Sequence, residues 1–200
     1  MERSDNFAVV GIGASAGGLQ ALQTFFENIP ADTNIAFVVI VHIPRQPTSN
    51  LDQILSRTCK IPVSRVDVNT RIEPGNIYVI IEGYYLLSVD GSLVLMKRDE
   101  HDKINKAVDV FFDSLAQDFQ SRAAGIVLSG TGTDGVEGVK AIEARGGFVM
   151  VQQPDTARFD GMPMSIITFD HPDIIDTPEN LAEFIVSYGK QVSFGGRKTG

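Results

Sequence analysis

The sequence predicts an α/β fold, doubly wound, with a mostly parallel sheet, helices on both faces and one antiparallel β-hairpin. Three observations predict it. Short apolar runs of strand length alternate with stretches of helical periodicity along the chain. Several of those runs are apolar throughout, the pattern of strands buried on both faces of a parallel sheet. One segment alone, at Asp90-Gly91, carries a tight-turn signature between alternating flanks.

Residues 7–12 form the first apolar run, which ends in Gly13-Ala14-Ser15-Ala16-Gly17-Gly18. Leu19, Leu22, Phe25 and Phe26 then recur at helical spacing, and Pro30 stops that helix. Residues 34–41 are the next strand, ending at His42-Ile43-Pro44. A helix over about 49–57 follows, with Leu51, Ile54 and Leu55 on one face, and 77–81 reads as another strand. Residues 84–89 and 92–96 flank Asp90-Gly91. A type I′ turn needs positive φ at both central residues, which Asp-Gly tolerates. Residues 107–119 are an amphipathic helix through Val108, Phe111, Phe112, Leu115 and Phe119. A strand over 124–129 runs into Gly130-Thr131-Gly132-Thr133-Asp134-Gly135. A helix over 136–144 is closed by Gly146-Gly147, and a strand over 148–151 is broken by Pro154. Thr177-Pro178 pairs an N-cap with a proline at the first helical position, opening a helix that carries Leu181, Phe184 and Ile185. We expect one domain over 1–190 and a disordered tail over 191–200.

Composition narrows the function. The chain has 200 residues, 43% of them hydrophobic, enough for one sizeable core. Its net charge of −8 and the lack of any basic cluster beyond Lys97-Arg98 and Arg197-Lys198 argue against a nucleic-acid partner. Cys59 is the only cysteine, so no internal disulfide and no cysteine-based metal site can form. The polar start lacks the apolar core of a signal peptide, and no apolar run is long enough to span a bilayer. A cytoplasmic protein is the expectation.

Two motifs overlap at the first turn. Gly11-x-Gly13-x-x-Ala16 fits a relaxed dinucleotide fingerprint, and Gly13-x-Ser15-x-Gly17 fits a nucleophile elbow. The second strand separates them. A dinucleotide site wants an acid at its end to hold the ribose, and this sequence puts His42 there, with Asp32 before the strand and out of reach. A serine nucleophile wants a base, and the base wants an acid that fixes its tautomer. Asp134, in the glycine-rich loop after another strand, supplies the acid. Ser15, His42 and Asp134 thus follow the C-terminal ends of three predicted strands, the edge where open α/β sheets bind ligands. Backbone N–H groups near Ala16 and Thr131 are the expected oxyanion donors. The order Ser, His, Asp differs from the α/β-hydrolase order Ser, Asp, His.

Each residue also has a plainer reading: Ser15 as a helix cap, His42 as a loop histidine, Asp134 as a turn or N-cap aspartate. His101 lies in a polar loop and His171 precedes Pro172 in another. A metal site of Asp99, His101 and Asp102 has no recognisable ligand spacing. Cys59 reads as a buried small residue, and Met162-Pro163-Met164 as core or loop packing. No cofactor is expected.

Four segments together resemble a known family. Ile12-Gly13-Ala14-Ser15-Ala16-Gly17-Gly18 is followed by Val41-His42-Ile43-Pro44, and then by Leu128-Ser129-Gly130-Thr131-Gly132-Thr133-Asp134-Gly135. The fourth runs from Val151-Gln152-Gln153-Pro154 to Gly161-Met162-Pro163. They are similar to the catalytic domain of bacterial chemotaxis protein-glutamate methylesterases. The likeness covers about 7–188. It implies a triad at Ser15, His42 and Asp134, hydrolysis of glutamate methyl esters on methylated chemoreceptors or similar signalling proteins, and deamidation of some glutamines. Some positions depart. The family's Gly-Met-Gly is Gly130-Thr131-Gly132 here, which looks more like versions fused to a receptor methyltransferase. An Arg-Pro pair common before the family's Val-Asp is replaced within Asn105-Lys106-Ala107-Val108-Asp109, and a proline-rich turn by Ile80-Ile81-Glu82-Gly83. Members commonly carry a phosphorylatable receiver domain, and none is expected within these 200 residues. The resemblance implies association with a methyltransferase or response-regulator domain. The altered loops leave one alternative, a catalytically silent binding or scaffold module in a two-component signalling pathway.

Overall fold

The structure, a computed structural model, describes residues 6–42, 50–99 and 105–193. In chain order the first part comprises β1 (Ala8–Ala14), α1 (Gly18–Glu27), β2 (Ile35–Val41), α2 (Leu51–Leu55), β3 (Val63–Arg65), β4 (Thr70–Arg71) and β5 (Ile77–Val79). The hairpin β6 (Tyr84–Val89) and β7 (Ser92–Lys97) follows, then α3 (Ala107–Phe119) and β8 (Ala123–Val127). The chain continues through α4 (Val136–Ala144), β9 (Phe148–Gln152), α5 (Gly161–Phe169), β10 (Ile174–Asp176) and α6 (Pro178–Ser193).

Seven strands form one sheet in the order β10-β9-β8-β1-β2-β5-β3, and every pair in it is parallel. Alternation along each strand divides its side chains between two cores. Val9, Val38 and Val127 face Phe111, Phe112, Leu115, Val139 and Ile166 of α3, α4 and α5. Val10, Phe37 and Ile126 face Leu22, Phe25, Leu55, Leu181 and Ile185 of α1, α2 and α6. Both cores are shut off from water, which is why the central strands read as continuous apolar runs.

The chain leaves β1 through α1 to reach β2 on one side, and returns through α3 to reach β8 on the other. α1 and α3 lie on opposite faces. The strand order therefore reverses at β1, and the crevice beyond the carboxyl ends of β1, β2 and β8 is the switch point where such sheets bind ligands.

The expected hairpin forms, with Asp90 at φ 49° and Gly91 at φ 70°. It carries a third strand that periodicity missed, because β4 is only 2 residues long. Asp118 of α3 pins its turn, accepting from Gly91 N–H at 2.9 Å and from Ser88 Oγ. β3 and β10, at 3 residues each, were too short to register as well. The run at Met162-Pro163-Met164 is helical: it opens α5, where Pro163 sits in the first turn and its missing N–H costs nothing. α2 covers only the middle of the expected 49–57 helix, whose first residue lies outside the described residues. α6 runs on to Ser193, so Gln191, Val192 and Ser193 are helical and the remainder of the expected tail lies outside the described residues. Ile43, Pro44, His101 and Asp102 also lie outside them. No helix among the described residues is long and apolar enough to cross a membrane.

Candidate active site

Ser15 follows the last residue of β1. Its N–H donates to Ser129 O at 3.0 Å, and its carbonyl accepts from Gly18 N–H at 2.9 Å. These two bonds fold the chain from strand into helix. The cap of α1 is Gly17, without a side-chain bond, so Ser15 is not a capping serine. Ser15 Oγ has no hydrogen bond among the described residues. The β-carbon stands against the start of the next loop. A Cβ on Gly130 would stand 3.0 Å from Ser15 Cβ and would force Met162 Sδ aside, so glycine lets the two segments approach without displacing Met162.

Ser129 ties the turn down. Its hydroxyl lies 3.0 Å from Ala16 O and 3.3 Å from Phe159 O, and accepts from Phe159 N–H at 3.1 Å. Its own N–H donates to Gln152 Oε1 at 2.9 Å, and Gln152 Nε2 donates onward to Thr156 O at 3.1 Å. Both residues are almost fully buried. A satisfied buried network of this kind fixes one arrangement of the strand ends.

His42 extends the β1–β2 ladder by one residue, its N–H donating to Ala14 O at 3.3 Å. Its ring therefore starts level with Ser15 on the neighbouring strand. Nε2 is 2.6 Å from Asp134 Oδ2. A carboxylate accepts only, so the pairing assigns the proton to Nε2 and leaves Nδ1 as the basic nitrogen. The His42 side chain is 20% exposed and that of Asp134 only 6%.

Asp134 is not the N-cap of the helix that follows it; that position is Gly135, without a side-chain cap bond. Its carboxylate instead caps α3. Oδ2 accepts from Val108 N–H at 3.0 Å and Oδ1 from Asp109 N–H at 2.9 Å. Two helix N-terminal donors satisfy the carboxylate oxygens away from water.

An open cleft of about 690 Å³ adjoins the pair, lined by His42, Asp134, Thr131, Lys106, Lys140 and Phe169 among others. Ser15 does not line it; Ser15 stands at the Gly130 end of the same loop. Neither Ala16 N–H nor Thr131 N–H has an acceptor among the described residues. Of the five residues singled out from sequence, the structure thus joins His42 to Asp134 directly, seats Ser15 on the adjoining strand end, and leaves two backbone donors unspent beside it.

The other candidates fall away from this edge. His171 is exposed in a loop. Cys59 is half-buried, and burial pushes its thiol up to about 11, which makes it a poor nucleophile at neutral pH. No group of three or more His, Cys, Asp or Glu side chains among the described residues is placed to hold a metal ion. Sequence reasoning missed Ser129, Gln152 and Asp109. Ser129 lay inside a recognised motif, but its role depends on a loop 30 residues away.

Known proteins resemble this chain over most of its length. The family model described as CheB methylesterase matches residues 10–185. A protein-glutamate methylesterase/protein-glutamine glutaminase of Trichodesmium erythraeum is 34% identical over 182 residues, covering 89% of this chain and 52% of the relative. One of Thermotoga maritima is 30% identical over 185 residues, covering 88% and 54%. The chain thus spans about half the length of these two. A Leptospira interrogans relative, 29% identical over 182 residues, is matched over 94% of its length. The crystal structure of the Thermotoga maritima CheB methylesterase catalytic domain superposes with a TM-score of 0.84 at 26% identity, covering 91% of this chain and 98% of that one.

Proposed function

The chain belongs to the CheB methylesterase family, and we propose that it is a serine esterase that demethylates glutamate methyl esters on chemoreceptor-type proteins. Ser15 Oγ attacks the ester carbonyl while its proton passes to His42 Nδ1, and Asp134 stabilises the imidazolium through Nε2. The oxyanion of the tetrahedral intermediate is received by the N–H groups of Ala16 and Thr131. Collapse breaks the ester C–O bond, and His42 returns the proton to the departing methoxide, so methanol leaves and an acyl-serine remains. Water, deprotonated by His42, then attacks the acyl-serine and frees the glutamate carboxylate. A glutamine side chain follows the same course with ammonia as leaving group.

One observation carries the reading: the 2.6 Å His42–Asp134 bond at the carboxyl edge of the sheet, on the strand next to the one that ends at Ser15. A methylated chemoreceptor is the partner, in the cytoplasm, with a receptor methyltransferase or response-regulator domain as an associate. Methanol release from receptor membranes carrying radiolabelled methyl groups tests it. The wild type should release methanol and Ser15→Ala should be slower by about 10³-fold or more. Equal rates contradict the mechanism.

A further inference from the structure

We infer that Asp109 is a positioning residue for Asp134: the two carboxylates cap each other's helices, and the exchange holds Asp134 on His42. The inference rests on the triad proposed above and adds a residue outside it.

Asp109 lies in the first turn of α3, and Asp134 directly precedes the N-cap of α4. Asp134 accepts from Val108 N–H and Asp109 N–H, so it caps α3. Asp109 Oδ1 accepts from Gly135 N–H at 2.9 Å and from Gly138 N–H at 3.0 Å, so it caps α4. Neither helix has a side-chain bond from its own N-cap residue, Lys106 or Gly135. The four N–H groups at the two helix starts are therefore satisfied across the pair. The helices meet closely: a Cβ on Gly138 would lie 2.6 Å from Phe112 Cβ and 3.2 Å from Asp109 Cα.

The exchange forms a closed loop of bonds. Asp109 donates its amide to Asp134 and accepts from the residue that follows Asp134. For the Asp134 carboxylate to swing off His42, its bonds to α3 must break, and for its backbone to shift, Gly135 N–H must leave Asp109. Rotation about χ1 of Asp134 alone does not satisfy these partners. The groups around Asp109 are Asp134 and His42, with Lys106 preceding α3 and Glu137 and Lys140 on α4 lining the same cleft. Burial pushes the Asp109 carboxyl above the usual range, the Gly138 N–H opposes that shift, and the charge of Asp134 adds to it. Asparagine is therefore a fitting neutral replacement, since its Oδ1 still accepts from both glycines.

Alanine removes both acceptors, and glutamate moves the carboxylate out by one methylene. The test measures kcat and KM for methyl-ester hydrolysis, and the downfield NMR signal of the hydrogen-bonded His42 Nε2–H, assigned among the 3 histidines by His42→Gln. Asp109→Asn should keep kcat and the His42 Nε2–H signal near wild type. Asp109→Ala should lower kcat by about 10²-fold at unchanged KM, as misplacement of a catalytic group by an ångström does. It should also weaken or abolish that signal, because His42 Nε2–H loses its well-seated acceptor. Asp109→Glu should show the same two changes, and keeps the inference testable if the alanine variant does not fold. Folded Ala or Glu variants with wild-type kcat and an unchanged His42 Nε2–H signal overturn the inference, even with a lowered melting temperature, because helix packing alone then explains the geometry. If Ser15→Ala also keeps full activity, the triad reading falls and the role of Asp109 falls with it. If Ser15→Ala is inactive while the Asp109 variants behave as wild type, the triad stands without Asp109.

Discussion

At the scale of single residues, the proposed site separates side chains assigned to meet substrate from those that hold them in place. The placement of Ser15, His42 and Asp134 at one sheet edge was legible because each follows the end of a strand, and strand ends can be read from apolar runs and glycines. Asp109 and Ser129 were not legible, since both act through backbone groups of segments distant in sequence. Asp134→Asn should fold, because an amide oxygen still accepts from α3. It should lower kcat by about 10³ to 10⁴-fold, since the imidazole is then held in the wrong tautomer. Steady-state kinetics with an activated ester check this, and a loss under tenfold places the acid elsewhere. Ser129→Ala removes a buried hydroxyl bonded to the Ala16 and Phe159 segments. It should cost about 1–3 kcal/mol in urea unfolding and loosen the turn at Ser15. A variant of unchanged stability and activity shows that the network is dispensable.

Among the elements, long periodic segments matched expectation and very short ones did not. α3 and α4 have the bounds their apolar spacing implies. β3, β4 and β10 hold 2 or 3 residues each, less than one period of alternation can reveal. α5 was hidden by Pro163, which reads as a breaker unless it falls in the first turn. The loop after β8 allows a direct check. In Gly130→Ala the new Cβ meets Met162 and crowds Ser15, so both the melting temperature and kcat should drop. Wild-type values show that the approach is looser than described. α6 allows another. Its Tyr188 donates to Ser121 O at 2.7 Å and stacks on Phe148 with ring centroids 5.1 Å apart. Burial pushes the phenol from 10.0 up to about 12. A raised folded value means that the neutral form is favoured on folding. The contribution is therefore complete below pH 10 and disappears as pH rises towards 12. Tyr188→Phe should lose about 1 kcal/mol at neutral pH and show a flatter alkaline limb in denaturant melts. An unchanged limb assigns the alkaline loss to another group.

The described part of the molecule is a seven-stranded parallel sheet between two cores, and its proposed chemistry lies at the point where the strand order reverses. The hydrophobic pattern revealed the sheet and the two faces. It did not reveal that the helix starts on one face lock together through exchanged carboxylates. Phe112 is fully buried where α3 packs on β1, β8 and α4, and Phe112→Ala should cost about 3–5 kcal/mol and unfold much of the chain near its melting temperature. A small cost means that the core refills around the gap. The central claim is that His42, held by Asp134, activates Ser15. It is tested most directly by labelling the folded protein with a fluorophosphonate and locating the adduct by mass spectrometry. The account predicts one adduct, on Ser15, formed far more slowly in His42→Gln and Asp134→Asn. Folded wild-type protein that takes no label, or an adduct on another serine, contradicts it and favours a silent binding module.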